Sequence, residues 1–146
     1  MAINIRRLKE RDIARLTELE KELFSDPWPE RSFRNELKNS KISFSYVLED
    51  DNQIIAYLIA WCYAGEVHIG NIAVDKTFRR RGLAERLIDR LFQDCGDYEE
   101  AFLEVRESNR AAIALYLKMG FEILGVRRSY YSDGENALIM QKTKTK

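Results

Sequence analysis

The amino-acid sequence predicts an α/β protein: one domain over residues 1–146, with a mixed, mostly antiparallel twisted sheet, helices on both faces and a splayed, bulged central strand. Three observations carry this. Runs with period-two apolar spacing are interleaved with runs of period near 3.6, in an order that mixes hairpins with helical crossovers. The length suits one core without staples, and no repeat, low-complexity tract or Gly/Ser linker interrupts it. One strand-like run changes its apolar phase halfway along.

"AINIRRL" is a short strand. In "DIARLTELEKELF", Ile13, Leu16, Leu19 and Leu23 share one helical face behind a cap at Asp12. "DPWPERSFRNELKN" restarts with Pro29 in a first turn, where its missing N–H costs nothing, and predicts a second short helix. "SFSYVLED" and "QIIAYLIAWCYA" are strands about a turn at Asp50, Asp51 and Asn52. After Gly65 comes "EVHIGNIAV", where Val67 and Ile69 keep period two but Ile72 and Val74 fall on the opposite phase. One inserted residue near Gly70 and Asn71 restores a single buried face, so a β-bulge is expected there. Such a bulge bends the strand away from its neighbour and can leave backbone groups free to hold a ligand. The next helix is opened by "FRRRGLAERL". Leu83, Leu87 and Leu91, with Ala84, Ile88 and Phe92, form its apolar stripe, and Glu85, Arg86, Asp89 and Arg90 face water. "EAFLEV" is a strand, "NRAAIALYLKM" a helix stopped by Gly120, and "FEILGV" and "ALIMQK" are closing strands. "KTKTK" reads as a solvated tail.

Composition weighs against several function classes. Lys plus Arg and Asp plus Glu number 24 each, so the overall balance favours neither nucleic acid nor an anionic membrane. No apolar run approaches a membrane span, and the first residues lack the charged-then-apolar order of a secretion signal, which points to a cytoplasmic protein. Cys62 and Cys95 are too few and too separated for a metal knuckle or a disulfide framework, and no metal is expected. His68 is the only histidine; a nucleophilic triad needs one held by a third group, and a lone strand histidine is more often structural.

Against that neutral balance the basic cluster is local. A strand ending at Val74, a loop, and a helix starting at Gly82 bring main-chain N–H groups to the positive end of a helix dipole, an anion site that needs no side chain. Arg79, Arg80 and Arg81 add guanidinium charge suited to phosphate oxygens, and Gly82 lets the backbone come close. A basic surface loop without a ligand fits the same composition equally well. A nucleotide P-loop does not: "GEVHIGNI" has the glycine spacing, but Asn71 and Ile72 stand where Lys and Ser/Thr are required. No G-x-G-x-x-G anchors a dinucleotide.

"RRRGLA" after "NIAV" resembles the R/Q-x-x-G-x-G/A acetyl-coenzyme A signature of the GNAT superfamily of N-acetyltransferases. "DPWPERSF", "LEVRESNRAAIALYLKMGF" and "RRSYYSDGENALIM" extend the resemblance, in order and over most of the chain, to the ribosomal-protein-alanine N-acetyltransferase (RimI-type) subfamily. The resemblance implies the GNAT fold and acetyl-coenzyme A (acetyl-CoA) as co-substrate. It implies as acceptor a protein or peptide N-terminus, that of a small-subunit ribosomal protein beginning with alanine. Arg79, Arg80, Arg81, Gly82, Leu83 and Ala84 would then hold the phosphates of the coenzyme.

The chemistry makes its own demands. A protein α-amine has a pKa of about 7.7–8.0 and must lose a proton before it attacks a thioester. Glu104 interrupts the apolar strand "AFLEV", where partial desolvation would raise a carboxylate towards useful basicity, directly or through a water; a solvated strand glutamate fits the pattern as well. In the subfamily the glutamate of "LEVR" is the proton acceptor. Coenzyme A departs as a thiolate, and Tyr116 could donate to its sulfur or be an ordinary core aromatic; Asn109, two turns back, could touch the same ligand or only cap the helix. By resemblance Tyr116 is the proton donor and Asn109 a coenzyme contact. Main-chain N–H groups of Ile72, Ala73 and Val74 on the bulged strand would hold the pantetheine arm like an added strand and steady the developing oxyanion. Tyr130 and Tyr131 could flank an extended peptide with Trp28 as the opposite wall, or simply pack a structural hairpin.

Other classes stay open at this point. They are a broader protein N-terminal or lysine acetyltransferase, a small-molecule amine acetyltransferase, and a non-catalytic CoA-sensing or nucleic-acid-binding module that uses the arginines alone. Balanced charge and the lack of an aromatic-interleaved basic face weigh against the last. No direct nucleic-acid or membrane contact is expected, and a monomer or weak dimer is.

Overall fold

The computed structural model describes residues 2–144. The strands are β1 (Ile3–Arg7), β2 (Tyr46–Asp50), β3 (Gln53–Tyr63), β4 (Glu66–Val74), β5 (Glu100–Arg106), β6 (Glu122–Arg127) and β7 (Ala137–Thr143). The helices are α1 (Ile13–Leu23), α2 (Glu30–Lys38), α3 (Leu83–Cys95) and α4 (Arg110–Lys118). The strands form one sheet in the order β1-β2-β3-β4-β5-β7-β6. Every neighbouring pair is antiparallel except β4 with β5.

That parallel contact is short. Glu66 pairs with Glu100 and Ile69 with Leu103, and past this point the two strands run on without pairing. The cause lies in β4. Its register against β3 slips between Ile59 and Ala60, which face Asn71 and Ile69, so Gly70 is the extra residue of a bulge where the apolar phase of the sequence changes. The bulged strand stays on β3 and leaves β5, and a gap opens in the middle of the sheet.

Apolar layers cover both faces. Leu16 and Leu19 of α1 and Phe33 of α2 pack on Val47, Tyr57 and Ile59. Leu87, Ile88 and Leu91 of α3, with Tyr116 of α4, pack on Leu58, Ala60, Leu103 and Met140 of the other face. Apart from Ile55 and Ala56, which share the α3/α4 layer where the register against β2 slips, successive β3 residues enter opposite layers, which is why "IIAYLIA" is a continuous apolar run instead of an alternating one. Among the described residues none from β5, β6 or β7 joins the α1/α2 layer, so that face is uncovered on the β5 side of the gap.

Several local expectations are corrected. Asp12 does not cap α1; its buried carboxylate accepts two hydrogen bonds from the Arg6 guanidinium and one from the Lys9 N–H. Pro29 stands extended just before α2, not within its first turn. The arginines lie in the turn ahead of α3, which begins at Leu83. Arg90 keeps 38% of its side chain in water and also donates to Ile5 O and Asp94. In "KTKTK", Lys142 and Thr143 extend β7 and Lys144 pairs with Asp97, while residues 145–146 lie outside the described residues. Cys62 of β3 and Cys95 at the end of α3 form a disulfide; the stacking of α3 on β3 joins two cysteines that their spacing seemed to keep apart.

Candidate active site

Beyond Val74 the chain makes a short turn and reaches α3 through residues in left-handed backbone, Arg80 at φ 65° and Gly82 at φ 72°. At Gly82 this is a conformation a Cβ would resist, and a Cβ built there would meet nothing within 4 Å, so the space beside it is open. The first turn of α3 starts at that point, bringing N–H groups without intrahelical acceptors and the positive end of the helix dipole. The three arginines differ. Arg79 Nε donates to Val74 O at 3.3 Å, Arg81 lies 5.1 Å from the centre of the Phe78 ring, and Arg80 is exposed. Leu83 is buried in the core and Ala84 half-buried beside it. An open left-handed glycine, a helix N-terminus and nearby guanidinium groups suit a pyrophosphate.

From this cradle the open edge of β4 leads into the sheet. Ile72, Ala73 and Val74 pair with Leu58, Tyr57 and Ala56 of β3, and their other edge, towards β5, has no strand partner among the described residues. Asn109 is the N-cap of α4, its Oδ1 accepting from the Ala112 N–H at 3.2 Å, so its contacts are those of a cap. Tyr116 is 5% exposed and meets Phe121 edge-on. Burial first, then the neighbouring Tyr131, pushes its pKa well above the ordinary phenol value. At neutral pH it is a hydrogen-bond donor.

Glu104 points away from the α3/α4 layer, which holds its neighbours Leu103 and Val105. Its side chain is 32% exposed, and Oε2 lies 3.0 Å from Arg127 Nε in an ion pair. Tyr130, half exposed, places its hydroxyl 3.4 Å from Glu104 Oε1. Tyr131 packs edge-on against Tyr130, and the Arg106 guanidinium sits 4.0 Å over its ring. Burial above all pushes the Tyr131 phenol up to about 12. Arg106 is itself braced by Asp133 and Glu135, which fixes the β6–β7 connection. Glu104, Arg127, Tyr130 and Tyr131 are therefore one cluster on the β5 side of the gap.

Trp28 does not join it. Its indole stacks on Trp61 of β3 at 6.4 Å, on the β4 side. Trp61 covers Gly70 so closely that a Cβ there would come within 2.2 Å of the indole. Trp61, Arg127 and the buried Glu20 were not singled out from the sequence. For Glu20 a signal existed: positions 13, 16, 20 and 23 fall on one helical stripe, and an acid interrupts it. His68 lies over the paired part of β4 and β5, bonded to Glu66 and stacked on Phe102.

The bulge, the splay and the cradle at α3 define an acetyltransferase of the GNAT kind. The chain belongs to the acetyltransferase (GNAT) family, whose sequence model matches residues 13–121, and this family uses acetyl-CoA. Over 142 residues it is 35% identical to a Bacillus subtilis (strain 168) protein provisionally named a ribosomal protein bS18-alanine N-acetyltransferase, spanning 95% of this chain and 94% of that one. It is 32% identical over 146 residues to an N-alpha-acetyltransferase of Saccharolobus solfataricus, spanning 90% and 87%. The crystal structure of the ribosomal-protein-S18-alanine N-acetyltransferase from Escherichia coli matches with a TM-score of 0.89 at 31% identity, over 99% of this chain and 96% of that one. No helix among the described residues is long and apolar enough to cross a membrane.

Proposed function

We propose that this protein acetylates the N-terminal α-amine of a protein, a small-subunit ribosomal protein beginning with alanine, and that residues 1–146 act as one domain in the cytoplasm, as a monomer or weak dimer. The observation that carries the reading is the gap between β4 and β5, with Glu104, Tyr130 and Tyr131 clustered on its β5 side and Trp28 stacked on Trp61 over the bulge on the β4 side. An extended peptide fits between two such sets of aromatics, whereas a small amine would leave them unused. The names of the Bacillus and Escherichia relatives support the alanine acceptor.

In this reading the turn and first helical residues from Arg79 to Ala84 hold the phosphates. The open edge of β4 at Ile72, Ala73 and Val74 binds the pantetheine arm and donates N–H groups to the acetyl oxygen, and Asn109 contacts the coenzyme from the start of α4. Glu104 takes the proton from the arriving ammonium, directly or through one water, in exchange for its pairing with Arg127. Tyr116 faces the leaving sulfur as a donor. Even an ordinary phenol would give its proton fully to an alkyl thiolate at a cost of about 2 kcal/mol. Burial of Tyr116 raises that cost, so it polarises the C–S bond through a hydrogen bond.

Peptides that differ only in their first residue, assayed by mass for acetylation, test the function. The peptide starting with alanine should be modified fastest. A polyamine or aminoglycoside acetylated faster than every peptide would overturn the acceptor class.

A further inference from the structure

One buried acid has no part in that chemistry. Glu20 lies on the inner stripe of α1 at 2% exposure, and all three donors to its carboxylate come from outside the helix. Oε1 accepts from the Tyr57 hydroxyl of β3 and from Asn71 Nδ2 of β4 at 2.8 Å, and Oε2 accepts from the Trp28 main-chain N–H at 2.9 Å. None of these partners is a cation. A buried carboxylate paid for only by neutral donors is a poor route to stability, and an apolar side chain between Leu16 and Leu23 would serve the core better. The carboxylate can do one thing an alkyl group cannot: join three separate segments at one point with directional bonds.

One of those segments, β4, borders the gap, and another, the one with Trp28, lies against the tryptophan that covers the bulge of β4. Asn71 sits between the bulge residue Gly70 and Ile72, and Trp28 carries the indole stacked on Trp61. Trp61 is fixed in turn, its Nε1 donating to the buried Glu36 at 2.8 Å while its ring covers Gly70. We infer that Glu20 is a positioning residue for the acceptor: it ties the Trp28 wall to the bulged strand and so sets the width of the acceptor's entrance on the β4 side. The inference rests on the gap being the acceptor site. Glu20 touches no reacting atom, so its effect appears in acceptor binding.

Glu20→Gln keeps the shape but turns an NH2 group towards one of the donors, so at least one tie is lost. In steady-state kinetics with an alanine-starting peptide, the folded variant should show a KM for peptide raised about tenfold, with KM for acetyl-CoA and kcat at saturating peptide little changed. Asn71→Ala cuts the tie from the other end and should reproduce the shift even where Glu20→Gln fails to fold. The double variant should be no worse than the more affected single one, because both remove the same link. An unchanged peptide KM in both folded variants, or peptide and acetyl-CoA KM rising together, would overturn the positioning role. A wild type that acetylates no peptide would overturn the proposed function and this inference with it. A wild type active on peptides beside unaffected variants overturns the inference alone.

Discussion

An ammonium group that reaches the gap meets a carboxylate already engaged, since Glu104 holds Arg127 at 3.0 Å. In the proposed reaction, proton removal by Glu104 then includes an exchange of partners, Arg127 for the ammonium. Glu104→Gln keeps the size and loses the basicity. It should cut turnover on a peptide by about 10²–10⁴-fold while acetyl-CoA binding survives; a loss below tenfold at neutral pH would place the proton acceptor elsewhere. Away from the gap, Asp12 shows a carboxylate used for stability. Burial pushes its pKa up, but hydrogen bonds from Arg6 and the Lys9 N–H, with the Arg6 charge, bring it below its ordinary value. A depressed folded pKa contributes stability above the unfolded value of about 3.9, and that stability is lost as pH falls through the folded value. Asp12→Asn should be less stable than wild type by about 1–3 kcal/mol at pH 7, with the difference shrinking in acid. Melts at neutral and acidic pH that show a constant difference would contradict this.

At the scale of elements, α3 begins after the left-handed turn at Gly82, the proposed phosphate site, and is tied to β3 at its close by the Cys62–Cys95 disulfide. Gly82→Val forces a β-branched residue into φ 72° and fills the open space beside the helix N-terminus. Affinity for acetyl-CoA, measured by calorimetry, should fall at least about tenfold with the circular dichroism of the fold retained; unchanged affinity would remove the phosphates from this turn. The disulfide closes a separation of 33 residues, so its reduction should lower unfolding free energy by about 2–4 kcal/mol, and a denaturation midpoint indifferent to dithiothreitol would refute that. Elements of this kind were largely legible in advance. The helices and most strands carry their own apolar period, β3 being one continuous apolar run, and the phase change between Ile69 and Ile72 located the bulge because a strand buried on one side cannot change phase without an extra residue. The partners that complete the site were not legible. Arg127 is 23 positions from Glu104, Cys62 is a helix away from Cys95, and nothing in local spacing says which surfaces a crossover will stack.

For the molecule as a whole, the sheet separates two kinds of work. In the proposed reading the turn into α3 and the open edge of β4 hold the coenzyme, and the face left uncovered beyond α1 and α2 receives the peptide between Tyr130 and Tyr131 on one side and Trp28 on the other. If those aromatics grip a peptide, removing them withdraws contacts that a short amine never makes. Trp28→Ala unstacks one side at Trp61, and Tyr131→Ala empties the place beneath Arg106 on the other. Each should lower kcat/KM for an alanine-starting peptide by about 1–3 kcal/mol of lost aromatic contact, and each should change the much slower acetylation of a small amine far less. Tyr130→Phe is a finer probe, because it deletes only the hydroxyl near Glu104 and keeps the ring. A fall in peptide kcat with little change in peptide KM would assign that hydroxyl to the chemistry, and the reverse would assign it to binding. Equal losses for peptide and small amine in the Trp28 and Tyr131 variants would show that both aromatics brace the fold, and that the acceptor enters by another route.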